Sequence, residues 1–116
     1  MRLDHVQLAI PAGAEDLCRP FYAGILGLEE MAKPDALAGR GGGWFRGAGM
    51  ELHLGVDTDF RPAKKAHPGL VTDELEALAE RLGAAGYPVR WDAAIEGRRR
   101  FFTEDPVGNR IEIIGG

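Results

Sequence analysis

The chain opens on an alternation of apolar and polar positions. From Leu3 to Ile10, Asp4, Val6, Leu8 and Ile10 share one face while Leu3, His5, Gln7 and Ala9 share the other, the period of a strand with one aliphatic side. Pro11 and Gly13 break it. Leu17, Phe21, Ile25 and Leu28 then recur at roughly helical spacing, but Pro20 has no N–H to donate and must kink or shorten that helix, and Gly24 and Gly27 mark its end. Leu28 to Met31 predicts a short strand, and the glycines between Leu37 and Gly43 predict a permissive hairpin or a loop over a pocket. Trp44-Phe45-Arg46 and Met50 to Val56 pair as strands around Gly47-Ala48-Gly49. In the second of these, Met50, Leu52 and Leu54 point one way and Glu51 and His53 the other.

Thr58 to Ala66 has no periodic pattern and reads as a linker, after which the same order begins again. His67 to Thr72 predicts a strand with His67, Gly69 and Val71 on one side. Asp73 to Gly86 is the clearest helix: Thr72 or Asp73 caps it, Leu75, Leu78, Ala79 and Leu82 form its apolar stripe, and Gly86 stops it. Strands follow at Pro88 to Trp91, Arg99 to Glu104 and Asn109 to Ile114, the last with Ile111 and Ile113 on one face and Arg110, Glu112 and Ile114 on the other. The predicted class is therefore α+β, with two βαβββ modules. Each would cover one sheet face with its helix, leaving the bare faces to form a shared concave, mostly antiparallel sheet with the helices outside. The chain reads as one domain, residues 1–116, with module one at about 1–57, the linker at about 58–66 and module two at about 67–116.

Composition narrows the function classes. A pI of about 5.3 and a net charge of -4 argue against nucleic acid or an anionic membrane as partner. The single cysteine, Cys18, rules out an internal disulfide framework and reads as core filler. The N-terminus runs directly into a strand with no targeting pattern, and no apolar run suggests a membrane span, so a cytoplasmic protein is expected. Gly41-Gly42-Gly43 lacks the Lys-Ser/Thr of a phosphate loop and precedes a strand.

The three histidines decide more. His5, His53 and His67 all fall on the faces left bare by the helices, and each module places a carboxylate on its last strand, Glu51 and Glu112. Imidazole and carboxylate without thiolate suit Zn, Ni, Co, Mn or Fe(II), with positions left for two substrate oxygens. Gln7, His53, Trp44, Arg99 and Phe101 are the candidate pocket residues, although aromatic residues on strands also serve as core and an arginine triplet at Arg98–Arg100 also suits a solvated hairpin.

Leu3-Asp4-His5-Val6-Gln7-Leu8-Ala9-Ile10, Phe21-Tyr22 through Leu26-Gly27-Leu28, and Glu104-Asp105-Pro106-Val107-Gly108-Asn109-Arg110-Ile111-Glu112-Ile113 together carry a resemblance over essentially the whole length. The chain resembles the glyoxalase, bleomycin-resistance and extradiol-dioxygenase superfamily, the vicinal oxygen chelate proteins. The resemblance implies metal ligands at His5, His67 and Glu112, with Glu51 at a fourth place and His53 as its alternative, and Glu112 as catalytic base. It implies a glyoxalase-like lyase or isomerase that moves a proton on a small molecule bound through two oxygens. The same scaffold also serves metal-free drug-sequestering proteins of the bleomycin-resistance type, thiol transferases and dioxygenases. Small two-module members are commonly homodimers, with sites built within one chain or between two.

Overall fold

The computed structural model describes residues Met1–Gly116. The element order is β1 (Val6–Ile10), α1 (Glu15–Arg19), β2 (Glu29–Met31), β3 (Gly43–Gly47), β4 (Met50–Val56), β5 (Gly69–Thr72), α2 (Leu75–Ala84), β6 (Arg90–Asp92), β7 (Arg100–Glu104) and β8 (Arg110–Gly115). The strands form two four-stranded sheets of identical plan, β1-β4-β3-β2 and β5-β8-β7-β6. In each, the first strand lies parallel to the last and the remaining pairs are antiparallel. This is the βαβββ unit given twice. The chain divides into two compact units at Pro62/Ala63. No helix is long and apolar enough to cross a membrane.

In the first unit the alternation of β1 sends Leu8 and Ile10 into the core, alongside Leu52 and Leu54 of β4 and Phe45 of β3. Pro20 ends the α-helical bonding as its missing N–H requires, but the chain does not simply stop: Pro20–Ile25 continues as a π-helical turn, closed by Leu26 N–H to the Phe21 carbonyl at 2.9 Å. That turn delivers two consecutive aromatic residues, Phe21 and Tyr22, to the interior, with Tyr22 packed on Phe45 at 5.5 Å between ring centroids. Leu17, expected on the apolar stripe, is exposed, and Cys18 takes the buried place because the shortened helix turns that side inward. Phe45 is buried, so Phe45→Ala is expected to cost about 3–5 kcal/mol through lost transfer energy and the cavity left behind. Urea unfolding measures this, and a loss below about 1 kcal/mol would show that the site collapses without a cavity.

The segment before β3 is more ordered than its glycines suggested: Asp35–Arg40 forms a 3-10 helix. Gly42 has φ 80°, and a Cβ there would meet the Leu54 carbonyl oxygen at 2.0 Å, so only glycine allows β3 to start this close to β4. Its N–H is donated to Glu15 Oε2 at 2.8 Å, and this contact leads the lowering of the Glu15 pKa. The Gly41–Gly43 run thus ties a strand to α1.

In the second unit Leu75, Leu78 and Leu82 of α2 are buried, as are Phe101, Ile111 and Ile113 of the sheet. The approach to β8 is set by a buried turn. Asp105 Oδ1 accepts from the backbone N–H of Val107 and Asn109, the Asn109 amide donates to Asp105 Oδ2, and Gly108 takes φ 93°. Asn109 Oδ1 in turn accepts from Ala63 N–H, and Arg110 N–H donates to the Ala63 carbonyl. The predicted linker therefore ends earlier than its composition suggested, because Ala63 is already hydrogen-bonded to the second sheet. Its physical effect is to fix the register of β8, and with it the direction of Glu112.

Candidate functional site

Each unit carries one polar cluster on its last strand and on or just before its first, His67 lying before β5 and not on it as expected. In the first unit the register places Gln7, His53 and Trp44 in a row across β1, β4 and β3, with Glu51 opposite Arg46 one step along. His53 is buried between two rings: His5 stacks on it at 4.1 Å and Trp44 at 3.9 Å. Its Nε2 is 2.9 Å from Glu51 Oε1, so Nε2–H donates to that carboxylate. Gly55 gives Gln7 its place, since a Cβ there would lie 2.5 Å from Gln7 Nε2. These side chains line a cleft of about 630 Å³ that also takes in Lys33 and Arg40.

His5 lies just before the paired part of β1 and is partly exposed. Its Nδ1 is 2.8 Å from Asp4 Oδ2, a contact that leads the lowering of the Asp4 pKa. A carboxylate only accepts, so the proton sits on Nδ1 and the lone pair on Nε2.

The second unit repeats this logic more tightly. His67 Nδ1 is 2.9 Å from the Lys65 carbonyl oxygen, which again can only accept, so the lone pair of the neutral ring is on Nε2. That Nε2 is 3.0 Å from Glu112 Oε1. Both contacts are hydrogen bonds when the ring carries a proton on each nitrogen, Nε2–H then donating to Glu112, and a metal ion between Nε2 and Oε1 would take the place of that proton. Two ligands about 2.1 Å from one ion at right angles stand about 3.0 Å apart, so the pair fits a metal's bite. The carbonyl behind the imidazole is the kind of outer partner that orients metal-bound histidine.

Glu112 is buried, and its other oxygen is held by Arg100 Nη1 at 3.0 Å. Arg100 is itself fixed by Asp92 at 3.3 Å. Burial alone would raise the Glu112 pKa, but the hydrogen bonds from Arg100 and His67 outweigh it and hold the pKa below its ordinary 4.5. A depressed carboxylate pKa gives stability that is complete above the ordinary value and lost as pH falls through the native one. The stability difference between wild type and Glu112→Gln is therefore expected to hold above the ordinary 4.5 and to shrink as pH falls below it in urea unfolding, and a constant difference would refute the linkage.

Two predicted pocket residues fall on the wrong side. Phe102 pairs with Glu112 and Phe101 with Ile113, so Phe101 is a fully buried core ring on the opposite face of the sheet. Arg99 sits with it, over the Trp91 ring at 5.0 Å and 2.8 Å from Glu76 of α2. The residues that do face Glu112 are Arg100 and Phe102, one position further on. Counting alternation back from Glu104 would have found them, because Arg110 pairs with Glu104 and sets the parity of both strands. Within neither unit do three His, Cys, Asp or Glu side chains gather at one point.

No family model matches the chain, and no curated protein is similar to it in sequence. Solved structures are similar. A protein from Bacillus anthracis assigned to the glyoxalase family is 40% identical, with a TM-score of 0.95 over 100% of this chain and 95% of that one. Lactoylglutathione lyase from Agrobacterium tumefaciens is 21% identical, with a TM-score of 0.71 over 96% and 92%. A mutant fosfomycin resistance protein from Listeria monocytogenes, complexed with Mn(II) and a dihydroxypropylphosphonic acid, is 19% identical, with a TM-score of 0.80 over 99% and 92%. The last two share the fold. With two βαβββ units and the first of these likenesses spanning its full length, the chain belongs to the glyoxalase family of the vicinal oxygen chelate superfamily.

Proposed function

We propose that this protein is a metal-dependent enzyme of the glyoxalase-like kind, in which His5, His67 and Glu112 hold a divalent ion and Glu51 takes the fourth place. The observation that carries it is the pair of preset histidines: His5 and His67 each have Nδ1–H anchored by an acceptor, leaving Nε2 as donor atom. The donor set is imidazole and carboxylate, which suits Zn, Ni, Co, Mn or Fe(II). In this reading residues 1–116 act as one functional domain of a homodimer. Mn(II) in the Listeria protein supports the class of cofactor.

When bound, the ion would supply Lewis acidity to two adjacent oxygens of a small substrate. The protein's own groups do the rest. Arg100 immobilises Glu112 and keeps it anionic, which favours a ligand over a mobile base. Glu51 is more exposed and has no arginine on it, only the donor His53. We therefore move the proton-accepting role, expected from the sequence at Glu112, to Glu51, with proton transfer between adjacent carbons of an α-hydroxy carbonyl as the reaction class. His53, with both ring faces covered by His5 and Trp44, steers Glu51 and is not itself a ligand.

Calorimetric titration of chelator-stripped protein with Mn, Ni, Co and Zn salts tests the reading. Binding near one ion per chain supports it. Absence of binding would leave a metal-free small-molecule binder.

A further inference from the structure

Beside the Glu112 half-site lies a second cleft, of about 330 Å³, walled by side chains of β6, β7 and β8 and by Lys64. Its charges do not cancel. Arg90 is taken by Glu104 at 3.0 Å, and Asp92 by Arg100 at 3.3 Å. Arg110 and Lys64 remain, and neither has a carboxylate within ion-pair distance. The Arg110 guanidinium carbon lies over the Phe102 ring, 4.0 Å from its centroid, and that of Arg100 lies 5.1 Å from the same centroid. A guanidinium that stacks on a ring can still offer its N–H edge to a bidentate anion. The same ring meets His67 edge-on at 5.3 Å, so Phe102 is a wall common to the histidine and the free cation.

We propose that Arg110, Lys64 and Phe102 form an anion-binding subsite for a carboxylate or phosphonate arm of the substrate. This rests on the metal-dependent reading above for the substrate's chelating oxygens, but the subsite itself needs no metal. Arg110 and Glu112 are two residues apart on one strand face, about 6.6 Å along β8. The substrate class is then a small oxygen chelator whose acidic group stands one or two carbons from the chelating pair, and a neutral hydroxyketone is a poor substrate. A guanidinium stacked on an aromatic ring and facing a carboxylate is a charge-assisted contact, for which a tenfold or larger effect on affinity is expected, on the order of 1.5–3 kcal/mol.

Two measurements test it. Inorganic phosphate is titrated into metal-free protein while the Arg side-chain and backbone amide NMR signals are followed; shifts centred on Arg110 and Lys64, absent in Arg110→Met and weakened in Arg110→Lys, are expected. Separately, metal-loaded protein is titrated with acetohydroxamate, malonomonohydroxamate and phosphonoacetohydroxamate, which chelate alike and differ in the arm. Wild type should favour an acidic arm over acetohydroxamate by about tenfold or more, and Arg110→Met should abolish that preference while acetohydroxamate affinity is retained. Comparison of the two acidic probes shows whether carboxylate or phosphonate is preferred. Equal affinity for all three, or a preference unchanged in Arg110→Met, would overturn the subsite. If no metal binds but phosphate still shifts Arg110, the metal reading fails and the subsite stands.

Discussion

The double substitution His5→Ala, His67→Ala is expected to abolish metal binding. Loss of a partner outside the ligand shell typically costs roughly 10–100-fold in affinity, so removing two ligands themselves should cost more than about a thousandfold. Neither side chain is part of a packed core: His5 is partly exposed and His67 retains a quarter of its side-chain surface, 26%. The fold should therefore survive, and circular dichroism with urea unfolding verifies that before calorimetry. One further effect is expected in the variant. With His67 gone, Glu112 loses one of the two hydrogen bonds that offset its burial, and its pKa should rise toward the ordinary range. Metal affinity within tenfold of wild type would show that the preset Nε2 atoms are not donors.

Glu51→Gln and Glu112→Gln are expected to fail in different ways. If Glu51 accepts the proton, its loss should slow exchange of the α-protons of an α-hydroxy ketone that carries a carboxylate arm by about 10²–10⁴-fold at saturating metal, with a smaller change in metal affinity. Glu112→Gln removes the charge of the proposed ligand and also leaves half-buried Arg100 with Asp92 as its only carboxylate. It should weaken metal binding first, and part of the exchange rate should return as metal is raised. The reverse pattern, with Glu112→Gln inactive at saturating metal and Glu51→Gln near wild type, would return the base to Glu112. Proton exchange followed by NMR serves here because it reports the step itself whether or not product accumulates.

Period-two alternation was enough to place most strands and the faces of His5, Gln7, Glu51, His53 and Glu112, because pleat geometry leaves a strand residue only two directions. The repeat of strand, helix and three strands was equally legible, since each element has its own period and the glycines and prolines mark its ends. These are local properties, and the chain carries them in its order of residues. Other features depend on partners far away in sequence. Phe101 and Phe102 are indistinguishable by type; only the pairing of β7 with β8 sends the second toward Glu112 and the first into the core. The face of Glu112 was legible but its surroundings were not: neither Arg100 nor His67 is its neighbour in sequence, and it is their approach that buries it and holds it charged. The order of residues thus determined the modules and which side chains share a face. Tertiary structure decided which partners each histidine nitrogen meets, which carboxylate is held by an arginine and which only by a histidine, and which arginine is left without a counter-charge, since each follows from distances that no local pattern encodes.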